Sequence, residues 1–302
     1  MVKAIRVHEL GGPEVLKWED VEIGEQLGLI LSIFTSGKAF IRLPQCPSPQ
    51  TVSDVEVGDI VAYAGNPMGS YSEEQILPAI PVPSSISLVI AASVILKGMT
   101  TQFLLRHCFK VEGGHRILVH AAAWGMLLGW VGSLLCQWAI ALGATVIRTV
   151  STKEKAAQAK DDGCHHVIIY KEEDFVVCVN EITSSNGVDV LYDSVGKDTF
   201  QGSLACLKLR GYMVSFGQSS GTPDPVSLSA LAPKSLFLTR PSLVQYTTTR
   251  DELLETAGEV FANVASGFLR VRVNHTYALA QATQAHADLE SRKTSGSVVL
   301  IP

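Results

Sequence analysis

A strand followed by spaced glycines is the part of this chain whose residue types point most directly to chemistry. Residues 116–123 read Arg-Ile-Leu-Val-His-Ala-Ala-Ala, and glycines follow at 125, 129 and 132 before an apolar run that ends at Gly143. A buried strand, a glycine-bearing turn and a helix, in this order, open a dinucleotide-binding unit, because the first amide groups of the helix can hold a pyrophosphate. The pattern therefore predicts a nucleotide phosphate at this turn.

The glycine pattern itself is incomplete. Gly129 and Gly132 supply the last two glycines of a dinucleotide fingerprint, whereas Leu127 stands where the first glycine belongs. Bulky residues over 124–130 lie where the turn needs side chains small enough for a pyrophosphate to touch the backbone. The sequence thus predicts a dinucleotide site with an enlarged turn. A glycine-containing turn that binds nothing is the alternative.

The end of the next predicted strand indicates which dinucleotide binds. About twenty residues past the last glycine, an NAD site carries an acidic residue for the ribose hydroxyls, but this chain reads Val-Ser-Thr-Lys-Glu-Lys over 150–155. The hydroxyl and ammonium groups of this segment suit a 2′-phosphate and favour NADPH over NADH, although Glu154 opposes this preference. Tyr170, which ends the following strand, would flank the phosphate or the adenosine. A solvated helix start and an ordinary strand-end tyrosine are the alternatives.

No catalytic triad and no metal cluster stand out in the sequence. The cysteines, at 46, 108, 136, 164, 178 and 206, are scattered and form no CxxC pair, which is typical of reduced thiols in an intracellular protein. Cys164-His165-His166 is interpreted as structural, since three adjacent residues rarely converge on one ion. His8 and Cys46 are the only histidine and cysteine residues before residue 100, which are too few for the metal site of a zinc dehydrogenase. Without a metal, hydride transfer depends on orienting a nicotinamide against an electron-poor acceptor.

Composition excludes several classes of protein. The 302 residues are 47% hydrophobic and 18% charged, as in a compact globular protein, and the net charge of −5 disfavours a nucleic-acid-binding surface. The first residues lack the long apolar core of a signal peptide. The apolar run over 117–142 is long enough to span a bilayer, but its glycines divide it into a strand and a helix. We therefore expect a cytosolic protein without a membrane segment.

The surrounding pattern predicts the elements that position these residues. Strands and helices alternate after Gly132, and continuous apolar strands of this kind form a parallel sheet covered on both faces. Serine and glycine residues follow two strand ends, over 193–196 and 215–219, at the edge where such sheets bind ligands. The fold class is therefore α/β with a doubly wound parallel sheet. Strands are predicted over 144–150, 166–170, 188–192, 211–216 and 236–239, and helices over 152–162, 172–182 and 199–207.

The flanking segments predict a smaller, β-rich domain. Residues 3–9 and 17–22 alternate like strands around a Gly-Gly-Pro turn, and short strands are predicted over 59–63 and 69–73. Near the other end, a helix over 250–265 precedes a strand, a helix and a strand over 276–279, 280–292 and 297–301. Residues 26–54, broken by prolines, match no element.

Several longer motifs resemble one family. The chain is similar to the zinc-free quinone oxidoreductases of the medium-chain dehydrogenase/reductase superfamily, the zeta-crystallin-like NADPH:quinone reductases, and looks closest to plant members. The resemblance covers residues 1–25 and nearly all of 55–302. The matching segments are residues 3–9, 11–16, 57–61, 96–100, 120–123, 192–196, 215–217, 239–242 and 296–302.

This resemblance implies an organisation and an activity. Residues 1–95 would form a partial GroES-like catalytic domain, residues 96–243 an NADP-binding Rossmann domain, and residues 244–302 a return to the catalytic domain. The implied activity is reduction of quinones by NADPH in a homodimer. Two alternatives stay open: a catalytically silent relative that binds a nucleotide or RNA, and a reductase of alkenal or enone double bonds.

The resemblance also implies site residues. Thr100 would approach the nicotinamide, Gly132 would lie under the pyrophosphate, and Phe103 stands where some relatives have a tyrosine. Tyr63 and Tyr71 are weak candidates for a proton donor. A role in strand packing explains the presence of each tyrosine at least as well. Ser151 and Lys155 would meet the 2′-phosphate, and the other implied cofactor contacts are Gly129, Val131, Tyr170, Ser194, Phe216, Gly217, Gln218, Leu238, Thr239, Arg240 and Arg292.

Two departures from the family pattern bear on activity. The family's Ala-Ala-Ala-Gly-Gly-Val-Gly loop is interrupted here by residues 124–130, and its Asn-Phe-Ile-Asp segment, which helps to form the substrate cleft, is replaced by residues 26–54. Impaired activity is therefore an expectation for this chain.

Overall fold

The computed structural model of the protein describes residues 2–8, 11–21, 59–64, 78–120, 126–291, 293–294 and 296–301. The chain divides into two compact units. The first consists of Met1–Leu96, Leu253–Ala265 and Val271–Pro302, and the second of Lys97–Glu252 and Ser266–Arg270. The predicted unpatterned segment 26–54 and the predicted strand 69–73 lie outside the described residues.

Two antiparallel pairs of strands open the first unit. β1 (Val2–Val7) pairs with β2 (Leu16–Val21), and β3 (Val61–Ala62) pairs with β4 (Ile80–Pro81). β1, β2 and β3 match predicted strands. β4 was not predicted, since two residues that include a proline give no periodicity to recognise.

A long apolar helix follows that the sequence pattern did not reveal. α1 (Leu88–Phe103) continues into a π-helical turn over Leu104–Cys108. The segment 88–108 is long and apolar enough to cross a membrane, and 67% of its most apolar window is buried inside the protein. A helix in the core of a globular protein can have the same length and apolar composition as a membrane-spanning helix. The run over 117–142 is instead divided between a strand and a helix, as the sequence predicted.

A parallel sheet of six strands forms the core of the second unit. Its spatial order is β10-β9-β8-β5-β6-β7, and every neighbouring pair is parallel. The chain builds outward from β5 in one direction and from β8 in the other, which confirms the predicted doubly wound α/β fold. The strands are β5 (Arg116–His120), β6 (Thr145–Val150), β7 (His166–Ile169), β8 (Val188–Asp193), β9 (Leu207–Ser215) and β10 (Phe237–Thr239).

Helices connect these strands at nearly the predicted positions. They are α2 (Met126–Ala141), α3 (Lys153–Asp161), α4 (Phe175–Thr183) and α5 (Phe200–Cys206). Apolar residues on the sheet, among them Leu118, Ile147 and Leu191, are fully buried beneath α4 and α5. The predicted helix 199–207 is corrected at its end, because Leu207 already begins β9.

The start of α2 corrects the expectation of an enlarged turn over 124–130. Residues from Met126 onward are helical, so Gly129 and Gly132 lie one and two turns inside α2. The sequence Met126–Ala141 contains no proline and includes four leucines, two alanines and a methionine, which favour a helix. Helical propensity over this apolar stretch therefore outweighs the two glycines.

The rest of the first unit follows the sequence pattern. Its elements are α6 (Arg250–Ala265), which belongs to this unit from Leu253 onward, β11 (Val273–Ala278), α7 (Ala282–Glu290) and β12 (Ser297–Ile301). β11 pairs with β12 in parallel. The Oγ1 of Thr283 in α7 donates to the carbonyl oxygen of Leu16 at 3.3 Å, which ties these elements to the first hairpin.

Candidate functional site

The predicted site residues gather at one edge of the six-stranded sheet. Ser151 follows β6, Tyr170 follows β7, Ser194 follows β8, Phe216 follows β9 and Arg240 follows β10. Because all six strands are parallel, their carboxyl ends lie at a common edge. In an open α/β sheet this edge, at the point where the strand order reverses, is where ligands bind.

The reversal point lies between β5 and β8, and one residue bridges it. Ser194 donates two hydrogen bonds to the carbonyl oxygen of His120, one from its backbone N–H and one from Oγ, both at 3.0 Å. Both residues are fully buried or nearly so. The ends of the two central strands are therefore held in a fixed relation at the carboxyl edge of the sheet.

Asp193 organises the loop after β8. Its Oδ1 accepts from the backbone N–H groups of Val195 and Gly196 at 2.6 and 3.2 Å. Its Oδ2 accepts from Oγ1 of Thr199 at 2.7 Å and from Oγ of Ser203 at 3.3 Å. A fully buried carboxylate is tolerated because four donors surround it.

The backbone after β9 is fastened to the same residue. The N–H groups of Phe216 and Gly217 donate to the carbonyl oxygen of Asp193 at 2.8 and 3.2 Å. Gly196 approaches this segment closely, with a φ of +93°, and a Cβ added there would lie 2.6 Å from the carbonyl oxygen of Gly221. Only glycine fits this conformation without strain. The loops after β8 and β9 thus form one unit at the sheet edge.

His120 is a buried neutral polar group at the end of β5. Its Nδ1 is hydrogen-bonded to Oγ1 of Thr149 at 2.7 Å, and its ring meets Phe175 edge-on with centroids 4.7 Å apart. Burial lowers the pKa of His120 to about 4, although the charge of Asp193 opposes the shift. Among the described residues no group hydrogen-bonds its Nε2.

A hydroxyl and an ammonium group face each other after β6. The Nζ of Lys155 donates to Oγ of Ser151 at 3.3 Å, and Thr152 caps α3 by accepting from the N–H of Lys155 at 3.3 Å. The positive end of the helix dipole adds to the charge of this lysine. A hydrogen bond from Thr152 lowers the pKa of Glu154, so its carboxyl group is ionised and turned toward its own helix start. The pair of Ser151 and Lys155 therefore provides a donor set for a phosphate.

The edge strand supplies further predicted residues. Nη1 of Arg240 donates to the carbonyl oxygen of Ser215 at 2.9 Å, which fixes the end of β10 beside the end of β9. Leu238 is 37% exposed, and Thr239 is half-buried. At the opposite edge strand, after β7, Tyr170 is exposed and its N–H donates to the carbonyl oxygen of Val150.

Other predicted residues are placed as follows. Thr100 is half-buried in the part of α1 that belongs to the second unit, and Tyr63 is half-buried after β3 in the first unit. The ring of Phe103 stacks on Tyr246 with centroids 4.9 Å apart. The exposed Gln218 follows Gly217, Val131 is buried in α2 beside Gly132, and Tyr71 and Arg292 lie outside the described residues.

Metal-ligand types do not cluster in the part of the chain that the structure describes. No group of three or more His, Cys, Asp or Glu side chains there is placed to hold an ion. His165 uses its Nδ1 to accept from the N–H of Val146 at 3.1 Å. The described residues therefore do not provide the donor set of a zinc site.

Sequence comparison places the chain among known reductases. The quinone oxidoreductase of Pseudomonas aeruginosa is 40% identical over 332 residues, and the alignment covers 100% of both chains. The chain belongs to the quinone oxidoreductase family. A family model described as "Zinc-binding dehydrogenase" also matches residues 163–300. The similarity to plant members stays a prediction.

Two solved structures extend this result. The quinone oxidoreductase of Escherichia coli, solved in complex with NADPH, superimposes with a TM-score of 0.82 at 40% identity and covers 99% of this chain and 100% of its own. A 2-haloacrylate reductase superimposes with a TM-score of 0.85 at 38% identity, covering 100% and 99%. Because relatives with both names are about equally similar, membership of the quinone oxidoreductase family does not by itself select the acceptor.

Sequence reasoning missed the residues that hold the site together. Asp193 was noted only as the start of a Ser- and Gly-containing segment, and Thr149 and Thr199 were not singled out. An acidic residue at a buried strand end, with a threonine six positions later, was the available signal. The partner of a buried carboxylate cannot be read from spacing alone when it lies on a different element.

Proposed function

We propose that this protein is an NADPH-dependent reductase of quinones. The observation that supports it most is the contact between Ser151 and Lys155 at the carboxyl edge of the parallel sheet. An ammonium group and a hydroxyl at the end of the second strand suit a 2′-phosphate. The relative from Escherichia coli was solved with NADPH, which agrees with this donor set.

The residues at the sheet edge divide the work of holding the cofactor. Ser151 and Lys155 bind the 2′-phosphate. The pyrophosphate is bound by amide groups at the N-terminus of α2, which is separated from the end of β5 by five residues. The loops after β8 and β9, held by Asp193, line the remaining side. When bound, NADPH supplies the hydride, and the protein supplies orientation and exclusion of water.

Reduction of activated carbon–carbon double bonds is the second candidate. A 2-haloacrylate reductase is 40% identical to this chain over 336 residues. Quinones and acrylates are both electron-poor acceptors, so the same cofactor site would serve either. We infer that the reduction proceeds without a metal and that the protein is cytosolic. We also infer that the residues around the acceptor, rather than those at the sheet edge, decide which acceptor is reduced.

We also propose that two copies associate through β10. This strand is one of the two edges of the six-stranded sheet, and Phe237 and Leu238 on it are 49% and 37% exposed. The ring of Phe237 stacks on Tyr212 with centroids 4.3 Å apart, which presents a flat apolar surface. A second copy would pair with the edge and cover these side chains.

Purified protein mixed with NADPH and a 1,4-quinone tests the proposed function. We expect the absorbance of the reduced nicotinamide to fall. Protein treated beforehand with a metal chelator should give the same rate as untreated protein. An acrylate or enone in place of the quinone identifies the better acceptor. No loss of absorbance with any acceptor, together with a melting temperature unaltered by NADPH, would favour the catalytically silent relative. A rate abolished by the chelator would contradict metal independence.

A further inference from the structure

One buried carboxylate, that of Asp162, lies where three elements of the second unit meet. Asp162 is the C-terminal cap of α3, and its side chain is fully buried. Its Oδ2 accepts from Oγ of Ser133 in α2 at 2.6 Å and from Nη1 of Arg148 in β6 at 3.0 Å. Its Oδ1 accepts from Nε2 of Gln137, also in α2, at 3.2 Å. A single side chain at the end of α3 therefore holds α2 and β6.

The partners of this carboxylate are buried as well. The side chain of Arg148 is 8% exposed, and Ser133 and Gln137 are buried. Gln137 also exchanges two hydrogen bonds with the backbone of Arg270, whose N–H donates to Oε1 at 2.8 Å and whose carbonyl oxygen accepts from Nε2 at 3.4 Å. A buried charge is tolerated only when it is paired and hydrogen-bonded, so a shift of α2 against β6 would break contacts that water cannot replace.

The same three elements carry both phosphate-binding parts of the proposed cofactor site. The pyrophosphate is assigned to the N-terminus of α2, and Ser133 lies two turns into that helix. The 2′-phosphate is assigned to Ser151, three residues after Arg148, and to Lys155, two turns before Asp162 in α3. Each of these groups is thus within about 10 Å, along its own element, of a residue in the contacts of Asp162.

We propose that Asp162 is a positioning residue that sets the spacing between the pyrophosphate-binding and the 2′-phosphate-binding parts of the site. The inference rests on the proposed function, because it concerns how the same site holds NADPH. Asp162 is buried and acts through α2, β6 and α3 rather than by touching the cofactor. A ligand that bridges two binding sites gains its full affinity only when the distance between the sites matches its own span.

Two ligands separate this role from a general effect on stability. NADPH bridges both parts of the site, whereas 2′-AMP carries the adenosine and the 2′-phosphate but no pyrophosphate. Calorimetry gives both dissociation constants for the parent and for Ser133→Ala, which removes one link between α2 and Asp162. We expect the dissociation constant for NADPH to rise about tenfold. The dissociation constant for 2′-AMP should change by less than about twofold, since β6 and α3 remain joined through Arg148.

A second variant removes the charge at the centre of these contacts. Asp162→Asn keeps the shape of the side chain but no longer neutralises Arg148, and its amide group cannot accept from both Ser133 and Gln137. We expect NADPH to be weakened at least as much as in Ser133→Ala, with 2′-AMP again less affected.

Thr183→Val is the matched control. Thr183 is buried in α4, before the start of β8, and its Oγ1 donates to the carbonyl oxygen of Val179 at 2.7 Å. Its loss removes a buried hydrogen bond without touching α2, β6 or α3. Urea denaturation should therefore show a lower free energy of unfolding, while both dissociation constants stay within about twofold of the parent.

The outcomes distinguish this inference from the proposed function. A parent that fails to bind NADPH or 2′-AMP would contradict the proposed function and this inference with it. A parent that binds both ligands, with an unchanged affinity for NADPH in Ser133→Ala, would overturn the positioning role alone. Equal weakening of the two ligands in Ser133→Ala, or the same loss of NADPH affinity in Thr183→Val, would indicate a general loosening of the unit and would also overturn it.

Discussion

Thr199 donates its hydroxyl hydrogen to Oδ2 of Asp193 at 2.7 Å, beneath the loop that follows β8. Asp193 is fully buried, and its other donors are two backbone N–H groups and Ser203. The backbone positions of Phe216 and Gly217 depend on the same residue. One buried carboxylate therefore fixes two of the loops that line the proposed cofactor crevice.

Replacing Thr199 by valine removes this hydrogen bond and keeps the shape of the side chain. We expect the free energy of unfolding to fall by about 2 kcal/mol, because a hydrogen bond to a charged group contributes about 1.5–3 kcal/mol. Urea denaturation measures the change. Thr222→Val serves as control, since Thr222 is exposed and its hydroxyl contacts the neutral amide of Gln218 at 3.5 Å. Equal losses in the two variants would contradict the role given to Asp193.

Stability should also depend on pH through His120. Burial lowers the pKa of His120 from 6.5 to about 4 in the folded protein. Between these values the unfolded chain binds a proton that the folded protein does not, so the free energy of unfolding falls as the pH decreases through this window. The loss is on the order of 2 kcal/mol between pH 7.5 and pH 5.

His120→Gln isolates this contribution, because glutamine can still hydrogen-bond Thr149 but does not titrate. Unfolding is measured for both proteins at pH 7.5 and pH 5. We expect the parent to lose about 2 kcal/mol more than the variant over this interval. The same decrease in both proteins would mean that His120 does not set the dependence.

The proposed dimer predicts an effect of charge on the edge strand. Phe237→Glu places a carboxylate in the apolar surface formed with Tyr212, so we expect the protein to become monomeric. Sedimentation velocity measures the change. Val177→Glu is the control, since Val177 is 53% exposed on α4 and lies away from β10 in the chain. A parent that sediments as a monomer, or a dimer that survives Phe237→Glu, would exclude association through this edge.

Much of the second unit could be predicted from the sequence. Strands such as Val188–Asp193 are continuous apolar runs, and their alternation with helices leaves few arrangements other than a parallel sheet. The positions of Ser151, Ser194 and Phe216 at one edge then follow from strand direction. Local pattern was sufficient because each of these features depends on a short segment.

The remaining features depend on contacts between distant residues. The start of α2 was misplaced because glycines and tryptophans suggested a turn, whereas the helical tendency of the whole stretch from Met126 prevails. The cluster of Gln137, Arg148 and Asp162 joins a helix, a strand and a turn, and no spacing rule connects them. α1 was missed because polar residues such as Ser93, Lys97 and Gln102 are buried together with its apolar ones, so the helix has no polar face to mark its period.

Calorimetric titration with NADPH and with NADH tests the central claim most directly. We predict that the parent binds NADPH at least about tenfold more tightly than NADH, a difference of about 1.4 kcal/mol. Lys155→Glu should remove this preference, whereas Lys160→Glu, which makes the same charge change in the last turn of α3, should keep it. Equal affinities for the two dinucleotides in the parent, or an unchanged preference in Lys155→Glu, would contradict the assignment of the 2′-phosphate to Ser151 and Lys155.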